Sequence, residues 1–185
     1  MLYQSDKATV TAFGVPSDVF NELELDTLYD SLSTDEIKRI KSAINERFYI
    51  YPRAKGQYIV VSVKEGTEEK TYQINFNSFD ACSCSDFLFN CANNGISCKH
   101  IWRIRLLIKL GCLPGRKDDP FSWFISELYR DVEWLSNLDR DAKESIEQLK
   151  DLESRVTIQG RENINYRKVF RERAQIMTRS AVQSF

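Results

Sequence analysis

Cys82-Ser83-Cys84 and, after thirteen intervening residues, Cys98-Lys99-His100 are the stretches that decide how this chain folds. In an extended or tightly turned segment, residues i and i+2 point the same way, so each pair can grip one side of an ion. Three thiolates and an imidazole form a common donor set for structural zinc. His100 is the chain's only histidine, and it falls two residues after a cysteine. The alternative is that the cysteines are small buried hydrophobes and His100 a satisfied core histidine, with no ion. Five cysteines is an odd number, which argues against a closed disulfide framework, and clustered thiols in a reducing compartment more often hold metal. Cys91 is a rival donor, seven residues from both Cys84 and Cys98; its neighbours Phe87, Leu88 and Phe89 make a packed turn and a buried thiol the preferred expectation. Cys112 is read in the same way.

Upstream of the first pair, Phe48–Tyr51, Gln57–Val63 and Thr71–Phe76 are rich in β-branched and aromatic residues. They are separated by turn material at Pro52–Gly56 and Glu65–Thr67, so three antiparallel strands should meander into Cys82. Before them, Ser33 and Glu36 fit a capping box, and Ile37, Ile40, Ile44 and Phe48 follow at helical spacing, predicting a helix over 34–47. Downstream, Ile101–Leu110 should be a helix ended by Gly111, with Pro114-Gly115 closing the turn. Asp119-Pro120 reads as the cap and first position of another helix, with Phe121, Phe124, Ile125, Leu128, Val132 and Leu135 as its stripe. A further helix is expected from about Asp139 to Ser154, on Ile146, Leu149 and Leu152. The pattern weakens past Gly160, where 161–180 is either a basic helix or a tail that orders on binding. The fold class is therefore α+β: a small antiparallel β-meander with a zinc-stapled ββα finger, an N-terminal helix and a C-terminal helical extension. The divisions are 1–44, 45–115 and 116–185.

The chain has 185 residues, 42% hydrophobic and 29% charged, with a net charge of −1. That is an ordinary globular balance and not a polycation. The charge is distributed in blocks. Residues 1–86 carry 9 basic and 14 acidic groups, 87–117 carry 6 and none, 118–153 carry 4 and 11, and 154–185 carry 7 and 2. Such blocks suggest segments that face one another or face charged partners. No apolar run approaches the roughly 18 residues of a membrane span, and the start Met1–Lys7 lacks a secretion signal. The expectation is an intracellular protein with no membrane role, cytoplasmic in a prokaryote or nuclear in a eukaryote.

The C-x-C then C-x-H arrangement, preceded by a β-hairpin and followed by an apolar helix, resembles the SWIM-type zinc finger over about residues 45–110. Ser85-Asp86-Phe87 is similar to that family's Pro-Asp-Phe. The resemblance implies Zn2+ held by Cys82, Cys84, Cys98 and His100. It also implies a place among Mutator-type transposases, chromatin-remodelling helicases or recombination mediators that pair with RecA-like ATPases. Arg103 stands where the recombination branch carries a small Ala.

On a helical wheel Ile101, Ile104, Leu107 and Ile108 share one arc, while Lys99, Arg103, Arg105 and Lys109 lie opposite, with Trp102, Leu106 and Leu110 among them. Aromatics in a basic face suit phosphate contact with base stacking, and Lys99, Trp102, Arg103, Arg105 and Lys109 are the candidate contacts. Against this, the acidic helices downstream could fold back over Trp102, Leu106 and Leu110, moving any nucleic-acid role to the basic C-terminal block.

The functional expectation is a non-catalytic adaptor that contacts single-stranded or duplex DNA and a protein partner in recombination, transposition or defence. Such a partner would be a RecA-like ATPase, a helicase or a complex subunit. The alternative is a protein-interaction subunit docking through its acidic helices. An enzyme is not expected: the one histidine is committed to metal, and no phosphate loop, H-E-x-x-H or deaminase signature occurs.

Overall fold

The computed structural model describes residues 25–62, 69–137 and 142–182. The expected turn at Glu65–Thr67, the end of the second strand at Val63 and the helix start at Asp139 lie outside them. After a short helix α1 (Leu25–Tyr29), α2 runs Thr34–Asn45. Its capping box is formed: the Glu36 N–H donates to Ser33 Oγ at 3.3 Å, and the Ser33 N–H donates to the Glu36 carboxylate at 3.2 Å. The helix stops two residues before its predicted end because Glu46 is already extended (φ −83°, ψ 150°), feeding Phe48 into the sheet.

The sheet is a four-stranded antiparallel meander in the order β1 (Phe48–Ala54), β2 (Gln57–Ser62), β3 (Lys70–Asn75), β4 (Ala81–Cys82). β1 runs past Tyr51 through Pro52, since an edge strand tolerates a residue without an N–H, and the register shifts between Pro52 and Ala54. β4, missing from the sequence reading, is two residues long and too short to show periodicity. Register pairs Phe48 with Ser62, Ile50 with Val60, Tyr58 with Ile74 and Ile74 with Cys82. Alternation then sends Phe48, Ile50, Tyr58, Val60 and Ile74 to one face, where they are buried with Ile40 and Ala43 of α2 and with α3 (Lys99–Lys109). Val61 and Ile59, on the opposite face, are also buried.

A second core gathers α4 (Pro120–Ser136), α5 (Lys143–Gln159) and α6 (Tyr166–Val182) around Phe124, Leu128, Leu149, Leu152, Phe170 and Met177. Helices α4 and α6 contact β1, so the bundle rests on the sheet's far side. α5 outlasts its expected end at Ser154 because Val156, four residues past Leu152, continues the buried stripe. Residues 161–180, read as basic helix or tail, include most of α6; Val169, Phe170, Ile176 and Met177 bury its inner face. The stripe was hard to read because Arg173 and Ser180 sit among those buried positions. Among the described residues no helix is long and apolar enough to cross a membrane.

Candidate metal centre

Three local structures bring the donors together. β4 pairs Cys82 with Ile74, and the Ser83 N–H continues to the Gln73 carbonyl at 3.0 Å while the Gln73 N–H reaches Ser83 Oγ at 2.9 Å. Extended backbone through Ser83 turns Cys82 and Cys84 to the same side. The chain then winds through a π-helical turn (Phe87–Cys91) and a 3-10 turn (Ala92–Asn94), reversing at Gly95 in the left-handed region (φ 66°). It re-enters as α3, with Cys98 as N-cap and His100 in the first turn. The donor atoms of Cys82, Cys84, Cys98 and His100 all lie within 4.8 Å of one another, and all four residues are buried. None of the five cysteines is in a disulfide.

The donor set fits a metal ion on three counts. First, His100 Nδ1 lies 3.8 Å from Cys82 Sγ, close to the ~3.6 Å edge that a tetrahedron with zinc-like S and N bond lengths would have. Second, the imidazole is fixed in place, stacked on Tyr72 at 4.3 Å and met edge-on by Phe48 at 5.3 Å; its buried Nε2 has no hydrogen-bond partner among the described residues. Third, three thiols in a dry pocket cannot all ionise unaided. Cys84 is held well below the ordinary thiol range by hydrogen bonds from Cys82 and Cys98, helped by the Phe87 N–H 3.3 Å from its sulfur. Cys82 is pushed far up, chiefly by its hydrogen bonds to Cys84 and Cys98 and then by burial. Cys98, drawn down by Cys82 but pushed up more by Cys84 and burial, rises to about 12. A divalent cation at this place would let all three become thiolates, and the amino end of α3 favours negative charge there.

Cys91 is a buried thiol outside the quartet, as expected; its sulfur donates to Asp86 at 3.5 Å, and burial lifts it to about 11. Asp86 also receives a two-pronged ion pair from Arg39 of α2, both contacts at 3.1 Å, and the Asn90 amide at 3.1 Å. The guanidinium holds the Asp86 carboxyl below its usual range. This brace joins α2 to the turn between the donor pairs, and the sequence reading missed it.

The five candidate contact residues do not form one open basic face. Arg103 is 0% exposed and donates to the Ala43 and Ile44 carbonyls at the end of α2; burial lowers its pKa to about 10. Trp102 is buried as well, and Arg105 lies 5.1 Å over its ring. Lys99 is paired with Glu46 at 2.5 Å, and Arg105 with Asp80. Lys109 alone of the five is exposed. The cover over Trp102 and Leu106 is in the first core, where Leu25, Leu28, Tyr29 and Leu32 also pack. The acidic helices downstream belong to the other core. The wheel placed Arg103 and Trp102 outside because it could not see that α2 docks there. The acidic excess of residues 1–86 was the available signal, since Glu46, Asp80 and Asp86 all come from it.

No family model, curated protein or solved structure matches this chain.

Proposed function

We propose that the chain is a zinc-binding, non-catalytic adaptor of SWIM type that contacts nucleic acid and a protein partner in DNA transactions. The observation that carries the reading is the buried Cys82-Cys84-Cys98-His100 quartet. Three potential thiolates and one imidazole suit zinc better than the hard cations, which prefer oxygen. With every donor turned inward, the ion's work is to staple the sheet to α3. Structural zinc contributes on the order of 10–16 kcal/mol, against a whole-domain stability of about 5–15 kcal/mol.

A protein partner is favoured by the turn between the donor pairs. Leu88 and Phe89 stand 56% and 76% exposed there, and Asp86 is the only charge between Ser83 and Cys98. An uncharged apolar knob on a braced turn suits an apolar pocket on another protein better than a phosphate chain.

Two measurements test the reading. Elemental analysis of the purified chain is expected to give one zinc per molecule. Titration with single-stranded and duplex oligonucleotides at two salt concentrations is expected to show salt-dependent binding. Absence of zinc removes the adaptor's staple, and absence of binding at low salt removes the nucleic-acid half.

A further inference from the structure

Three loops converge at one end of the sheet. A Cβ at Gly56 (φ +65°) would strike the Asn77 side chain and lie 3.2 Å from the Arg116 carbonyl, so the β1–β2 turn sits against both other loops. The Phe76 N–H donates to the Gly56 carbonyl at 2.8 Å, and Tyr58 donates to the Pro114 carbonyl at 2.6 Å. Asp80 ties the third side: it pairs with Arg116 at 2.8 Å and with Arg105 of α3. The Arg116 guanidinium also lies 4.7 Å over the Phe76 ring, which packs on Tyr58. These contacts hold the loops together.

What the three loops present is cationic and aromatic. Lys55, Arg116 and Lys117 of the loops, with Arg53 of β1 and Arg105 of α3 beside them, stand against Asp80, Asp118 and Asp119, a net of +2. Asp80 is shared by two arginines, and Asp118 accepts from the Gly115 N–H at 2.7 Å. Arg53, Lys55 and Lys117 are exposed and enter none of the ion pairs among the described residues. Phe79, 73% exposed, sits in the same β3–β4 loop next to Asp80. Beside the loops a groove of about 460 Å3 runs over β2, β3 and β4, lined by Arg53, Gln57, Gln73, Asn75 and Ser83 among others.

We infer that this loop end binds single-stranded nucleic acid: phosphates on Lys55, Arg116 and Lys117, an unpaired base stacked on Phe79, and the neighbouring nucleotide over the amide-lined groove. The chemistry decides for a single strand. A duplex offers no free base face to Phe79, whereas an exposed aromatic among cations is what sequence-tolerant single-strand binders use. The inference rests on the nucleic-acid half of the proposed function and moves the contact from the outer face of α3, which is spent on internal pairs, to the loops beside it.

The test is fluorescence anisotropy of the zinc-loaded full chain with labelled dT20, rU20 and a 20-base-pair duplex, at two salt concentrations. Far-UV circular dichroism and zinc content verify that each variant is folded. The expected result is tighter binding of dT20 or rU20 than of the duplex, with the dT20 and rU20 arms telling DNA from RNA. Phe79→Ala should weaken single-strand binding about 5- to 150-fold. Lys55→Glu with Lys117→Glu should weaken it and reduce the magnitude of the salt slope by about 1.4. Lys168→Glu with Arg171→Glu, on the exposed side of α6, should bind as the parent does. If the chain binds the oligonucleotide but the loop variants bind like the parent, or the α6 variant alone loses binding, the loop surface is overturned while the adaptor reading stands. Equal binding of duplex and single strand overturns the stacking assignment. If the unsubstituted chain binds no oligonucleotide at low salt, both fail.

Discussion

Arg103 closes the carboxyl end of a helix that precedes it by sixty residues: its Nη1 donates to the Ala43 carbonyl at 2.6 Å and to the Ile44 carbonyl at 3.0 Å. The last carbonyls of α2 have no partner inside their own helix, and a buried cation there satisfies them and meets the negative end of the helix dipole. His100 lies three residues before Arg103 on α3, so the residue that docks α2 and a candidate metal donor share one helix face region.

Arg103→Ala should therefore cost more than a surface substitution. It strands buried carbonyls at about 1–3 kcal/mol each and opens a cavity, giving an expected loss of about 3–5 kcal/mol. Arg103→Met keeps the volume and should recover only part. Urea denaturation followed by tryptophan emission reads the difference; a loss under about 1 kcal/mol would show that water reaches these carbonyls.

Removing the metal proposed for the quartet is the broader intervention. A chelator strong enough to strip zinc, or Cys98→Ser, should abolish the near-UV dichroism of the first core, because three buried thiols and an imidazole within 4.8 Å of one another would lose the cation proposed to join β4 to α3. Metal return should restore it in the unsubstituted chain, releasing protons as the Cys82 and Cys98 thiols ionise. Cys91→Ser, by contrast, should keep one zinc per molecule, since Cys91 faces Asp86. Loss of stoichiometric zinc in Cys91→Ser would mean that the donor set had been misassigned.

The parts of this structure that were readable from sequence are those fixed by local chemistry. The donor quartet announced itself by spacing, α2 by Ser33 and Glu36, and α4 by Asp119-Pro120. What could not be read depends on which surfaces meet. A helical wheel treats Arg103 as a solvent-facing cation, yet its long side chain reaches another helix's carbonyls. Arg173 likewise interrupts the apolar stripe of α6, which made a buried helix resemble a basic tail. Both failures come from arginine, whose charge marks a surface residue in any one-dimensional scale unless its partners are known.

Asp119 gives a prediction with a pH sign. It caps α4 by accepting from the Ser122 N–H at 3.0 Å and pairs with Arg161 at 2.9 Å. Although desolvation raises its pKa, the Ser122 hydrogen bonds and Arg161 outweigh that, and the carboxyl is held below its usual range. A depressed carboxylate contributes stability that is present above the unfolded-state value and is lost as pH falls through the folded one. Asp119→Ala should cost about 1 kcal/mol at pH 7, as lost caps do, and the gap should narrow below about pH 4. Parallel denaturation curves at pH 7 and pH 3 check it; a gap independent of pH would assign the cap to geometry and not to charge.

The buried side of α6 carries the last prediction. Arg173 is 3% exposed, and its guanidinium grips Asp131 with contacts of 2.5 and 2.9 Å and reaches Glu127 at 3.1 Å. Two carboxylates on α4 face one guanidinium on α6, so the pairing fixes how these helices slide past each other. Arg173→Met leaves Asp131 buried without its cation and Glu127 with only Arg130 of its own helix, and should cost about 3–5 kcal/mol. Replacing all three, with Glu127→Leu and Asp131→Leu beside Arg173→Met, removes the desolvation cost along with the attraction. That variant should be at least as stable as the parent, because buried ion networks often lose to apolar residues of similar size. Urea midpoints of the single and triple variants decide between the two roles: a triple variant as unstable as the single one would mean that the charges supply net stability, and not the alignment of α4 with α6.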